Sequence, residues 1–585
     1  MSGPTNGSVP SAGFGREWSR REFLRLLGRT AGFASLAAVP LDITNACAMS
    51  GPGRAAEAVP PRIGGHLTEG APTDVSQLTP YLAADTFSVL VAGLLFEPLL
   101  SSTANGDLIP QLAAEVPRPA ADGLTYTFKL RKDLKWSDGV PLTSDDVLFT
   151  YSLHWDPKYR PVNSPHRQEF ETHVQSMAAP DPETFVIRTT NSYAPFLTNF
   201  GGPGALGIVP KHVLGGVDPK AINTHDFNHN PSVVNGVFRF VRWDKGQQIV
   251  LARNPSYWAG RSNLDHYVYK VLPDAVTLAT QLKTGEVDMA SIVESLVDDV
   301  STHPDTVSVF QFDVPSIDLY AYQMDPSKPA ARFFSDRAVR QALLYALDRQ
   351  QMVDALYFKH ATVATGPIPP IQSWAYNKDA KPRYNHDRAR AERMLDAAGW
   401  RMGASGVRDR DGVRMAFEVI TPAGNEVRES MIQVMQQQWA EIGVRCTPRP
   451  IQLPQLINQI TNLRTFDMFV LGFTFSQDPD QSVLWHSRNT VPGGFNGFMY
   501  RSKTVDKLLD DAVLTLDREQ RRRLYYQFQD AINEDVPAPI LTSRKGFWGI
   551  NNRVRGVTGG ERGLGPYTQW YTRPWMKDVF VIDGK

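Results

Sequence analysis

Residues 122–151, DGLTYTFKLRKDLKWSDGVPLTSDDVLFTY, decide how this chain is read. Leu124, Tyr126, Phe128 and Leu130 alternate with Thr125, Thr127, Lys129 and Arg131, a period of two that lays an apolar row on one face of a strand. Ser137-Asp138-Gly139 after Trp136 supplies the backbone freedom of a tight turn. Thr143 is then placed to cap a helix whose first turn holds Asp145 and Asp146, carboxylates that suit a helix N-terminus. Strand, turn and capped helix in one short segment predict a structural unit of an α/β or α+β domain and carry no chemistry of their own.

Working outward, 585 residues exceed the roughly 250–300 at which a single core stops growing, so two or three domains are expected. The 61 basic and 61 acidic side chains cancel and are interspersed, which argues against a nucleic-acid surface or a polybasic membrane patch. Two cysteines, Cys47 and Cys446, provide neither a disulfide framework nor a thiolate metal cluster. Cys446 alternates with Val444 in a strand-like run and reads as a small core residue. No nucleophile elbow, zinc-peptidase helix, phosphate loop or dinucleotide fingerprint occurs in usable context, so no enzyme, cofactor or metal is expected. His154, His166 and His173 match no ligand motif and read as ordinary surface histidines.

Ala114 with Asp122, Thr125, Tyr126, Phe128, Leu130, Arg131, Lys132, Asp133, Leu134, Lys135 and Trp136 resembles the signature of the family 5 solute-binding proteins, the extracytoplasmic receptors of peptide, nickel and related ABC importers. Further pieces are similar to that family. They are the Gly236–Arg253 hairpin closed by Asn254-Pro255-Ser256-Tyr257-Trp258, the LATQLKTGEVDMA run at 278–290, and Asp336, Val339, Arg340, Ala342 and Leu343. The resemblance implies an α/β, bilobal fold of the periplasmic-binding-protein type II kind, two α/β lobes with a hinge plus a small extra domain. It places lobe I at 63–100, 183–315 and 539–585, the small extra domain at 101–182, and lobe II at 316–538. It also implies a monomer that delivers a small solute, first of all an oligopeptide, to a permease and ATPase. Alternatives are an oligosaccharide or another organic solute, a receptor feeding a membrane sensor, or a secreted hydrolase.

The amino terminus reads as an address. Ser19-Arg20-Arg21-Glu22-Phe23-Leu24-Arg25 matches the twin-arginine export pattern, and the following apolar stretch is shorter than the ~20 residues of a membrane span. Residues 1–62 are therefore expected to be signal peptide and flexible tether, with the mature protein in the periplasm or on the outer face of the cytoplasmic membrane. Cys47 leaves open whether the mature chain is free or lipid-anchored.

Other expectations follow along the chain. Glu69 and Asp74 read as solvated loop charges, and Trp258 as a packed corner rather than a cleft wall. Ser335 is placed to cap one helix carrying Val339 through Leu356, with further helices at about 387–398 and 427–442, stopped by Gly399 and Gly443. Asp517 and Gln520 form a capping pair.

The candidate ligand loop is Gly472–Asp480, after an apolar strand from Phe466 to Leu471. Phe473, Phe475, Asp478 and Trp485 are the candidate binding residues. In the family's peptide receptors, the resemblance implies, an aspartate in this loop pairs with the peptide's free ammonium. Here that position falls in a gap or at Phe475 or Ser476, leaving Asp478 as the substitute. The alternative is that Asp478 and Asp480 cap the next turn and that Phe473 and Trp485 belong to the core.

Overall fold

The computed structural model describes residues 59–202, 204–557, 564–565, 567–568, 573 and 575–582. Arg20, Arg21, Cys47 and most of the expected tether lie outside them. Among the described residues no helix is long and apolar enough to cross a membrane.

The decisive segment folds as its pattern requires. Residues Thr125–Lys129 form a strand with Tyr126 and Phe128 buried, and Gly139 turns the chain at a positive φ of 89°. The Ser144–Trp155 helix starts with a capping box in which Thr143 N donates to Asp146 Oδ2 at 2.9 Å. The strand pairs with Thr184–Thr189, which also pairs with Val174–Asp181 in a three-stranded sheet. Thr184–Thr189, expected in lobe I, is thus the central strand of this small sheet. Its apolar face joins one continuous core with Trp136, Tyr151, Phe196 and Phe200.

Among the described residues eleven strands make the main sheet, in chain order β1 His66–Ala71, β2 Phe238–Asp244, β3 Gln248–Arg253, β4 His266–Val271, β5 Met289–Ser291 and β6 Val307–Tyr322, then β7 Ala361–Val363, β8 Ala416–Pro422, β9 Arg445–Ile451, β10 Met468–Thr474 and β11 Ile540–Asn551. Their spatial order is β9-β8-β10-β6-β11-β5-β1-β4-β3-β2, with β7 also on β11. The long strands β6 and β11 run antiparallel through the middle and join the two halves. Val307–Asp313 pairs with Lys545–Asn551 beside β5, whereas Ser316–Tyr322 pairs with β10. Between them, at Asp313 to Ile317, the register slips around Pro315. A proline donates no ladder hydrogen bond, so the sheet is interrupted there.

Each half buries both faces. In the second half the alternation along β6 sends Tyr320 and Tyr322 to a core with Trp439 and Met435, and Ile317, Leu319 and Ala321 to one with Trp485, Tyr525 and Phe528. Helices Arg337–Tyr345 and Glu426–Glu441 cover the first face, Lys503–Leu514 and Arg518–Asp535 the second. Gly399 and Gly443 end their helices at positive φ, and Asp517 accepts from Gln520 N at 2.7 Å. Cys446 is buried, and burial pushes its thiol up to about 12.

Several local expectations are corrected. The cap at 335–336 is Asp336, not Ser335, and the helix stops at Tyr345 because Asp348 caps a second one, Arg349–Leu356. Glu69 is not a loop charge: it lies in β1, buried, accepting from Tyr267 Oη at 2.7 Å and paired with Arg573. Asp74 ties down the β2–β3 hairpin through Trp243 Nε1 (3.1 Å) and Gly246 N (2.7 Å). His154 is fully buried, since its helix turns that face to the core, and burial holds its imidazole well below the usual range. Burial likewise lowers His166 to about 4, and His173 stacks on Tyr193 with centroids 3.8 Å apart.

The signature's Arg131 lies over Trp258 at 4.6 Å, and Trp258 Nε1 donates to Glu97 Oε2 at 2.6 Å. Trp258 is therefore a packed corner. Gln111 Nε2 (2.7 Å) and Tyr257 Oη also donate to Glu97, yet desolvation outweighs these donors and pushes its carboxyl up to about 7.

Candidate functional site

The loop after β10 sits where the two halves of the molecule meet. Strand β10 runs through Gly472, Phe473 and Thr474, so the loop begins three residues later than the sequence pattern indicates. Thr474 Oγ1 lies 2.8 Å from Ser316 Oγ, and Phe475 N donates to Pro315 O at 2.8 Å, which fastens the loop to the interruption in β6. Gln372 Nε2 holds it from the other side, donating to Ser476 O (2.9 Å) and Asp478 O (3.1 Å). With backbone groups satisfied on both flanks, the loop is a fixed platform.

Asp478 points into that platform. Its carboxylate receives Arg521 Nη2 at 2.8 and 2.9 Å, and Asp480 N at 3.0 Å. Burial alone would lower the pKa of Arg521, but Asp478, with Tyr525, raises it instead. Trp374 completes the group, with the guanidinium carbons of Arg518 and Arg521 at 5.1 and 5.3 Å from its ring centre. Asp480 accepts from Ser482 N at 2.9 Å, in the turn that leads through Gln481 into the short Ser482–Trp485 helix. The capping alternative therefore describes both aspartates, and Asp478 carries a second partner besides.

The aromatic candidates separate. Phe473 is half-buried, edge-on to Phe495 with centroids 5.9 Å apart, and Phe475 is buried next to the break in β6. Trp485 has no exposed surface; its Nε1 donates to Gln481 Oε1 at 2.8 Å and its ring meets Phe498 edge-on. It is core in this structure, because the short helix turns it inward.

Beneath the loop, Asp318 of β6 is buried and takes hydrogen bonds from Arg428 Nε (2.8 Å) and Tyr357 Oη (2.6 Å). Arg428 crosses the strand over Gly472, where a Cβ would lie 1.9 Å from Nη2. This glycine is a space requirement. The first half meets the loop through Ser102, Gly106, Gly202 and Tyr567, which surround Gln477. Sequence reasoning passed over Arg521, Arg428 and Gln477, whose partners lie 43, 110 and 375 residues away, and Tyr567, which meets the chain at Gly106. Only the glycines at 106, 202 and 472 mark these places in the sequence, and nothing local says which side chain each one admits.

At the boundary between the halves, Arg544 pairs with Glu294 at 2.9 Å and His360 with Asp298 at 3.1 Å, while Lys545 and Asp313, 2.9 Å apart, are cross-strand partners within the first half. Among the described residues no group of three His, Cys, Asp or Glu is placed to hold a metal ion.

Known proteins share this architecture. AppA, an oligopeptide-binding protein of Bacillus subtilis, is 30% identical over 485 residues, covering 82% of this chain and 86% of AppA. Heme-binding protein A of Haemophilus influenzae is 26% identical over 469 residues, 77% of this chain and 81% of its own. Among solved structures, AppA from Bacillus subtilis in complex with a nonapeptide superposes with a TM-score of 0.71 at 27% identity, covering 90% of this chain and all of that one. NikZ from Campylobacter jejuni in complex with Ni(L-His) gives a TM-score of 0.71 at 26% identity, over 88% and 99% of the two chains. Residues 107–495 match the family model described as bacterial extracellular solute-binding proteins, family 5 middle, and with two thirds of its length inside that match the chain belongs to this family.

Proposed function

We propose that this protein is an extracytoplasmic receptor that captures an oligopeptide, or a related organic solute, between two hinged lobes and hands it to the permease and ATPase of an ABC importer, without catalysis. The observation that carries this reading is the central pair β6 and β11. Two continuous strands join the halves, and the ladder is interrupted at Asp313 to Ile317, beside the loop that faces the other half. A few residues that absorb a bend between two packed cores make a hinge. The expected lobe boundary near 315 lies beside this interruption; along β11 the change of core comes at Ser543 to Lys545 rather than at 539, since Ile540 and Leu541 pack in the cores of the second half. Phe473 and Phe475 remain the ligand-facing candidates on lobe II. Peptide comes first on the likeness to AppA. The structure of NikZ with Ni(L-His) keeps a smaller or metal-bearing solute as the second reading. Export by the twin-arginine route rests on Arg20 and Arg21.

Calorimetry tests the reading with three pools: free-amino peptides, amino-acetylated peptides and oligosaccharides. Binding of one pool, compaction in small-angle scattering and recovery of unmodified ligand are expected. Turnover of the ligand, or binding with no compaction, overturns it, because only a ligand that contacts both lobes can shift an open–closed equilibrium.

A further inference from the structure

We propose that Gln477 is the positioning residue of the solute site: its side chain is a plug on lobe II that enters a glycine-lined notch in lobe I and holds the two lobes closed over the ligand. The inference rests on the hinged-receptor reading and adds the residue through which closure is stabilised.

The base of the plug is rigid. Its neighbours Ser476 and Asp478 are held by Gln372, Asp478 by Arg521 and Phe475 by Pro315. Gln477 itself is 7% exposed, although it projects away from the lobe II core. The surface it enters is built from chain segments far apart in sequence. Ser102 Oγ lies 3.4 Å from Gln477 Oε1 and donates to Gly201 O at 2.6 Å, which fixes its orientation. A Cβ on Gly202 would stand 2.8 Å from Gln477 Oε1, and one on Gly106 would stand 3.2 Å from Gln477 Cγ and 2.7 Å from the Tyr567 ring. Two missing side chains therefore open the notch to the width of one glutamine, and Tyr567 forms part of its wall.

Two further contacts between the lobes lie on the rim. Arg518 meets Asp107 at 3.0 Å with both side chains more than half exposed, and Ser192 Oγ donates to Leu514 O at 3.0 Å in an exposed position. Exposed ion pairs of this kind contribute little. A buried contact that exists only when the lobes meet contributes wholly to the closed state, so its loss shifts the population toward open and shortens the life of the bound complex.

The test uses the full chain with three substitutions: Gln477→Trp, too large for the notch; Gln477→Ala, which empties it; and Gln477→Met, of similar length without the amide. Scattering is recorded with and without a pool of free-amino nonapeptides, and dissociation by stopped flow. We expect the Trp variant to have the larger radius of gyration in both conditions. The Trp and Ala variants should release peptide at least about tenfold faster with association changed less than about threefold, and Met should restore most of the effect. Peptide-free melting temperatures should agree across the set, which separates positioning from folding. Wild-type dissociation and radius in a folded Trp variant overturn the proposal. If the wild type binds no peptide, the receptor reading fails separately. The peptide-free radius of the Trp variant still decides the plug, an unchanged value overturning it.

Discussion

Arg521 Nη2 donates to both carboxylate oxygens of Asp478, at 2.8 and 2.9 Å, with each side chain no more than 7% exposed. The two residues stand on different elements, the loop after β10 and the Arg518–Asp535 helix. A buried pair of this kind adds little against an apolar replacement, but removing one partner strands the other charge. Asp478→Asn is therefore expected to destabilise the fold by about 3–5 kcal/mol in urea unfolding, and Asp478→Asn with Arg521→Leu to recover at least half of that loss. If Asp478 also receives a ligand's ammonium, the double variant loses free-amino peptides and keeps acetylated ones.

Gly472 tests the support beneath the site. A methyl group there meets Arg428 Nη2 at 1.9 Å and Asp318 Oδ1 at 2.8 Å. Gly472→Ala should cost about 1–3 kcal/mol by forcing Arg428 off the buried Asp318. Guanidinium denaturation of this variant checks the value; a loss below half a kcal/mol would mean that Arg428 swings aside freely.

Glu97 gives the fold a pH dependence. Its folded carboxyl titrates near 7, above its ordinary value of 4.5, because it is buried. Between those two values the folded state binds more protons than the unfolded one, so this group's stabilising contribution is full below about 4.5 and declines as pH rises to 7. Glu97→Gln removes the titration. The stability of wild type relative to this variant should fall by about 2 kcal/mol between pH 5 and pH 8, read from urea midpoints at each pH. A flat difference would show that the donors from Gln111, Tyr257 and Trp258 fully compensate the burial.

Export is tested outside the folded region. Replacing Arg20 and Arg21 together by Lys should leave uncleaved precursor in the cytoplasm, seen by fractionation and immunoblot. Mass spectrometry of the wild-type mature amino terminus then distinguishes a free chain from one diacylated at Cys47. Normal export of the double-lysine chain would refute the twin-arginine reading.

What the sequence determined by itself is local. The alternation at Tyr126 and Phe128, the capping box at Thr143, the Gly246 hairpin turn, the helix stops at Gly399 and Gly443 and the Asp517 cap all depend on residues a few positions apart, and each forms as its spacing requires. Family and fold class were legible for the same reason, since the signature is one short strand, turn and helix.

The tertiary structure alone decided everything that depends on a distant partner. Glu69 reads as a loop charge until Arg573 stands beside it, and Asp478 reads as a ligand anchor or a turn cap until Arg521 arrives from the Arg518–Asp535 helix. His154 reads as a surface residue until its helix packs that face inward. Gln477 carries no mark in the sequence, because the notch that receives it is made of Ser102, Gly106, Gly202 and Tyr567, brought together only when both halves of the sheet have folded. Burial and charge pairing are properties of the assembled cores, and a neighbour hundreds of residues away leaves no periodicity to read.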